Sequence, residues 1–137
     1  MLVQHPESVA IVALDGEGLL VVRQHRGGAS DVTTELPSGK IELDEGPDAA
    51  VRRELAEECG LAAERWRRIG AFWAAPAYST EFVHVYEAAG LAPAVERLAA
   101  DADEEIELDR IPAERALDEL SDAVSLAALA LWERRRS

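Results

Sequence analysis

The chain has 137 residues, 48% of them hydrophobic, and a formal net charge of −13; that length supports one buried core, so a single domain over residues 1–137 is expected. The acidic balance argues against a nucleic-acid partner, whose phosphates require clustered Lys and Arg, and Cys59, the single cysteine, excludes an internal disulfide. No apolar run is long enough to span a bilayer and the first residues, Met-Leu-Val-Gln-His-Pro-Glu, lack the basic-then-apolar order of a signal peptide, so a cytoplasmic protein with no membrane partner is expected.

In chain order, Ser8 to Leu14 is an apolar, β-branched run that stops at Asp15-Gly16-Glu17-Gly18 and resumes from Leu19 to Val22, which predicts a β-hairpin. Residues 27–31 form a Gly-rich loop, and Thr33 to Leu36 a short extended piece ending at Pro37. From Asp48 to Cys59 the chain is rich in Ala, Leu, Arg and Glu, with Gly46-Pro47 in front and Gly60 behind. Pro suits a first helical turn and Gly a C-terminal cap, so a helix of about three turns is predicted. Trp66 to Ala75 and Glu81 to Ala88 predict two further strands, the second alternating through Phe82, His84 and Tyr86. After an Ala-rich connection Glu105 to Ile111 alternates again, Pro112 to Leu120 predicts a short helix, and Asp122 to Arg136 a longer closing one. This order suits an α/β fold with a mixed sheet layered between helices.

The central helix carries the chemistry. At about 100° per residue, Val51, Leu55 and Cys59 form one apolar stripe, and Glu54 and Glu58 fall beside it and lean towards the core. Two carboxylates one turn apart, with Glu57 next to them, repel one another unless a cation sits between them, and hard oxygen ligands of this kind suit Mg²⁺ or Mn²⁺. The bland alternative is a solvated acidic helix face, and placement at the edge of the buried stripe argues against it. Cys59, on that stripe, reads as packing rather than as a nucleophile. His5, His25 and His84 show no metal-ligand spacing and are assigned no role.

Gly39, then Glu45 after five residues, then Arg53-Glu54-Leu55-Ala56-Glu57-Glu58-Cys59-Gly60-Leu61 after seven more, resembles the Nudix box without a mismatch. Seven fixed positions and two aliphatic ones would recur by chance about once in 10^9 starting points, a figure the acidic composition weakens by a couple of orders of magnitude. The resemblance implies a Nudix-type α/β/α sandwich and an enzyme that hydrolyses a nucleoside-linked diphosphate with bound divalent metal. It assigns metal ligation to Glu54 and Glu58, to Glu57 directly or through water, and to the backbone carbonyl of Ser38. Gly39 and Gly60 are the motif's backbone positions, and Glu45 and Arg53 resemble the ion pair that ties its loop to its helix.

Outside the box, Arg23-Gln24-His25-Arg26, Glu35-Leu36-Pro37-Ser38-Gly39, Pro76-Ala77-Tyr78-Ser79-Thr80-Glu81 and Asp103-Glu104-Glu105-Ile106-Glu107 are similar to segments of the ADP-ribose pyrophosphatase branch. This implies a small-molecule nucleotide substrate, ADP-ribose or a related nucleoside-diphosphate sugar, cleaved to a nucleoside monophosphate and a sugar phosphate with Mg²⁺, or Mn²⁺, as cofactor. Arg26 would hold a phosphate oxygen, since guanidinium geometry matches phosphate, Glu35 and Glu81 would face the nucleoside end, and Pro76 would also contact the substrate. The branch carries its general base before the last strand, where Glu104 matches, Glu105 is the reserve and Glu57 the next candidate. Ala75 and Ala77 depart from the branch, which has Ser and Gly there. Branch members carry several dozen residues ahead of the first core strand that build a swapped dimer; with a first strand expected at Ser8, either a homodimer of another kind or a monomer follows. Two other readings stand beside this one: a sanitising nucleoside-triphosphate pyrophosphohydrolase, and a non-catalytic nucleotide-sensing module, against which the intact Glu54, Glu57 and Glu58 argue.

Overall fold

The run from Ser8 becomes strand β1 (Ser8–Asp15), and both its faces are buried in the computed structural model, which describes residues 1–95 and 106–136. Burial on both sides is why this strand reads as a continuous apolar stretch rather than an alternation. Val9, Ile11 and Ala13 point into one core, shared with Ala50, Val51, Leu55 and Tyr86. Ala10 and Val12 point into a second, shared with Val83, Val85, Leu129 and Trp132.

The remaining elements are β2 (Gly18–Arg26), β3 (Asp31–Glu35), β4 (Ser38–Lys40), helix α1 (Pro47–Glu54) running into a π-helical turn (Leu55–Cys59), β5 (Leu61–Trp73), β6 (Phe82–Pro93), β7 (Glu107–Pro112), a 3₁₀ turn (Ala113–Arg115), α2 (Ala116–Glu119) and α3 (Ala123–Arg136). β1 runs parallel to β6, from Ser8 opposite Val83 to Ala13 opposite Ala88. It pairs antiparallel with β4 over Ser8 to Ala10, and with β2 only at Leu14 and Asp15. β5 lies antiparallel on the outer side of β6. β2 takes β7 on the edge opposite the one shared by β1 and β3, since Leu19 faces both Leu14 and Ile111. Among the described strands β1 and β6 are the one parallel pair, so the sheet is mixed. With α1 in one core and α3 in the other, the expected α/β/α sandwich is formed.

Several boundaries differ from expectation for identifiable reasons. β5 starts at Leu61 rather than Trp66 and β6 runs on to Pro93, because the two pair as one long ribbon from Leu61 opposite Pro93 to Trp73 opposite Phe82. The start of that ribbon is largely open to solvent, so its polar sequence hid a strand. β4 has three residues, too few for any periodicity. The stretch from Pro112 to Leu120 divides, since Pro112 still closes β7 before the 3₁₀ turn and the single turn of α2. The central helix starts at Pro47, as its Gly-Pro entry predicts, but its last turn widens to π geometry over Leu55–Cys59. Gly60 ends it at φ +68°, a left-handed conformation that glycine adopts without steric cost, with its N–H donating to the Ala56 carbonyl at 2.9 Å.

Leu55 is fully buried and anchors the helix against the sheet. Leu55→Ala is expected to destabilise the protein by about 2–5 kcal/mol, read as a lower denaturation midpoint in urea at unchanged slope.

Candidate active site

Arg53 organises the site. Its Nε and Nη2 donate to the two oxygens of Glu45, each at 2.8 Å, which fastens the loop before α1 to the helix in the paired manner expected. Nη2 also donates to the Lys40 carbonyl at 2.9 Å, while Nη1 donates to Glu54 Oε1 at 2.9 Å and Glu57 Oε2 at 3.1 Å. The Glu45 hydrogen bonds and the surrounding carboxylates raise the Arg53 pKa further above its ordinary value. The same pairing holds the Glu45 carboxyl below the usual carboxylate range.

Gly39 lies in β4, where that strand meets the helix. A Cβ there would stand 2.0–2.4 Å from the Glu54 carboxyl group, so the motif glycine is needed for close approach of that carboxylate to the strand backbone. Glu58 Oε1 accepts a hydrogen bond from the Ser38 N–H at 3.2 Å, which brings Ser38 beside the second carboxylate. Burial, then the charge of Glu54, push the Glu58 carboxyl up to about 8, against the smaller opposing effect of the Ser38 N–H. Burial raises Glu54 too, with Arg53 partly offsetting it. Burial, then Glu58 and Glu54, push the Cys59 thiol up to about 12, and its side chain packs against the core shared by α1 and β1.

Among the described residues no three His, Cys, Asp or Glu side chains converge on a metal-sized position; Arg53 Nη1 lies between Glu54 and Glu57. The donor set nonetheless fits a hard divalent cation. It consists of oxygen ligands alone, and Glu54 and Glu58 are half-buried carboxylates whose mutual repulsion a cation would relieve. Glu54, Glu57, Glu58 and the Ser38 backbone are the groups that could hold one.

These residues line a cleft of about 1300 Å³ together with Arg26, Glu35, Gln24, Asp122, Val124 and Ile106, and with His5, Ser8 and Glu81. Arg26 and Glu81, expected on the substrate side, are therefore in the cleft. Ser8 Oγ donates to Glu81 Oε2 at 2.7 Å. Glu35 also borders the cleft but is 5% exposed and bound to Arg26. Pro76 is not among the cleft-lining residues; it belongs to the turn in which the N–H groups of Tyr78 and Ser79 donate to the Ala75 carbonyl. Glu104 and Glu105 lie outside the described residues. Sequence reasoning passed over His5, Ser8, Gln24 and Asp122. His5 reaches the cleft because Val3 bridges to the 78–80 turn, with the Val3 N–H on the Tyr78 carbonyl and the Thr80 N–H on the Val3 carbonyl.

A mixed sheet between two helical layers, with a glycine-hinged loop tied by an arginine to a glutamate-bearing helix, defines an α/β/α domain with an acidic loop–helix site. The NUDIX domain family model matches residues 4–131, and the chain belongs to the Nudix family. It is 37% identical over 117 residues to the ADP-ribose pyrophosphatase of Bacillus subtilis (strain 168), which covers 85% of this chain and 63% of that protein. It is 32% identical over 122 residues to the methanol dehydrogenase activator of Bacillus methanolicus, covering 88% of this chain and 66% of that protein. The chain thus spans just under two thirds of the length of these two relatives. The crystal structure of an ADP compounds hydrolase is similar at a TM-score of 0.85 and 26% identity, over 94% of this chain and 71% of that one.

A raised carboxyl pKa dictates the sign of a pH effect. Glu58 titrates near 4.3 unfolded and at about 8 folded, so between those values the folded chain binds more protons and stability falls as pH rises. In EDTA the melting temperature is expected to drop between pH 5 and 8, and Glu58→Gln to flatten that drop; an unchanged slope would mean that Glu58 titrates as an ordinary carboxyl. Gly39→Ala should displace Glu54 and weaken Mn²⁺ binding by roughly 10- to 100-fold, measurable by titration calorimetry, with little change in far-ultraviolet circular dichroism.

Proposed function

We propose that the protein is a divalent-cation-dependent pyrophosphohydrolase that splits ADP-ribose or a related nucleoside-diphosphate sugar into a nucleoside monophosphate and a sugar phosphate. The observation that carries this reading is one cleft joining Glu54, Glu57 and Glu58 to Arg26. At about 1300 Å³ it exceeds the ~300–1,000 Å³ of most small-molecule sites. Similarity to an ADP-ribose pyrophosphatase and to an ADP compounds hydrolase supports the same substrate class.

In this reading Mg²⁺, with Mn²⁺ as a substitute, is held by Glu54 and Glu58, by Glu57 directly or through water, and by the Ser38 carbonyl; when bound it polarises a phosphoryl oxygen and lowers the pKa of water. Arg53 holds Glu45, Glu54 and Glu57 in place, so the carboxylates are arranged before substrate arrives. Arg26 receives a phosphate oxygen. Glu81, set by Ser8, faces the nucleoside or sugar end, and Pro76 acts indirectly by shaping the turn that leads to it. Glu104 takes the proton from the attacking water, with Glu105 in reserve.

Hydrolysis of ADP-ribose, other nucleotide sugars, dinucleotides and nucleoside triphosphates, with products identified, tests the proposal. A nucleotide sugar is expected to show the highest kcat/KM and to yield monophosphate plus sugar phosphate. Preference for a triphosphate with release of inorganic pyrophosphate would instead identify a sanitising enzyme, and tight ADP-ribose binding without turnover a sensing module. Glu104→Gln should lower kcat by roughly 10²–10⁴ and be partly repaired by raising pH, whereas a ligand variant such as Glu58→Gln should respond to metal concentration.

A further inference from the structure

Arg26 and Glu35 form the second arginine–carboxylate pair of the cleft, and the way its atoms are used is specific. Nε donates to Glu35 Oε2 and Nη2 to Glu35 Oε1, both at 2.9 Å, which is the side edge of the guanidinium on a fork of carboxylate oxygens. The Thr33 hydroxyl donates to Glu35 Oε2 as well, so three donors meet one carboxylate. Burial alone would raise the Glu35 pKa, but the hydrogen bonds from Arg26 and Thr33 outweigh it and leave it low. Three of the roughly four acceptor positions of this carboxylate are therefore taken, and at 5% exposure Glu35 is far less accessible to a substrate than Arg26 is.

Arg26 is different. Its side chain is 48% exposed and borders the cleft. Among the described residues no partner takes Nη1, so the outer edge of the guanidinium, Nη1 with the second hydrogen of Nη2, is open. That edge is the one that matches two oxygens of a phosphate. Thr33, Glu35 and Arg26 come from the adjoining strands β2 and β3, whose register opposes Arg26 to Asp31 and Val22 to Glu35, so the clamp rests on sheet rather than on a free loop.

We propose that Thr33 and Glu35 are positioning residues: together they hold Arg26 by its side edge and aim its outer edge at the diphosphate. Glu35 therefore acts through Arg26 and not on the nucleoside. This rests on the nucleotide-sugar hydrolase reading for the identity of the anion, and it assigns the anion contact to one face of one side chain.

The test measures ADP-ribose turnover and, separately, equilibrium binding of ADP by the wild type, Arg26→Ala, Glu35→Gln, Thr33→Val and the Arg26→Ala, Glu35→Gln double variant, with melting temperatures to identify any variant that fails to fold. Loss of Arg26 should weaken ADP binding and raise KM by roughly 10- to 100-fold, the scale of a charge-assisted hydrogen-bond pair, with a smaller change in kcat. Glu35→Gln should shift KM in the same direction, and Thr33→Val less. Millimolar methylguanidinium should restore part of the lost affinity in Arg26→Ala, because Glu35 still holds the added cation, and should restore none in the double variant. Equal rescue in both, an unchanged KM in Arg26→Ala, or no ADP binding by the wild type would overturn the clamp. A wild type that binds ADP with the expected Arg26 dependence but does not hydrolyse ADP-ribose would overturn the substrate reading and leave the clamp standing.

Discussion

The contact on which the rest of the site depends is the Arg53 guanidinium among Glu45, Glu54 and Glu57. Three carboxylates crowded at one end of a loop would repel one another by several kcal/mol at close range in a poorly solvated cleft. One planar cation with donors in fixed directions converts that repulsion into an arrangement. The loop between β4 and α1 contributes no helix or strand of its own, and Arg53 adds to its few backbone hydrogen bonds by binding both Glu45 and the Lys40 carbonyl at the end of β4. Removing the arginine would free the loop and uncover the acidic cluster together.

The cleft repeats this device with a different purpose. Arg53 and Arg26 each spend Nε and Nη2 on a single glutamate. Arg53 then turns Nη1 onto Glu54 and Glu57, so its donors face the protein, while Arg26 keeps its outer edge for the cleft. The same fork is used twice, and only the neighbours differ. Under the proposed function this balance of charge would let a strongly acidic protein accept a diphosphate: the Arg26 guanidinium is already held by Glu35, and a cation among the glutamates would supply the remaining positive charge.

Much of this could be read from the sequence, for local reasons. The β1–β2 turn is marked by Gly16 and Gly18, the helix by Gly46-Pro47 and Gly60, and the apolar stripe by Val51 and Leu55, both of which are fully buried. The box positions lie within one loop and one helix, so their spacing carries their geometry. What escaped depends on partners far along the chain or on side-chain direction. His5 enters the cleft because Val3 and His5 itself meet the 78–80 turn, the Thr80 hydroxyl binding both the N–H and the carbonyl of His5. That Glu35 gathers three donors from Arg26 and Thr33 is a matter of side-chain direction that the sequence does not carry. The π turn escaped because Leu-Ala-Glu-Glu-Cys is as good an α-helical sequence as any, and the widening shifts where Glu57 and Glu58 leave the helix relative to Glu54.

The placement of β1 beside β6 has a consequence for how such a chain is made. As residues emerge during synthesis the β1–β2 hairpin and the box helix come first, yet the surface on which that helix rests includes Tyr86 and Ala88, and the Tyr86 hydroxyl binds Asp48 in its first turn. Contacts closed over so long a stretch of chain form late. A nascent chain stopped before Phe82 would contain every residue of the box without the strand that seats its helix. At that point the motif is complete in sequence but is not yet a folding unit.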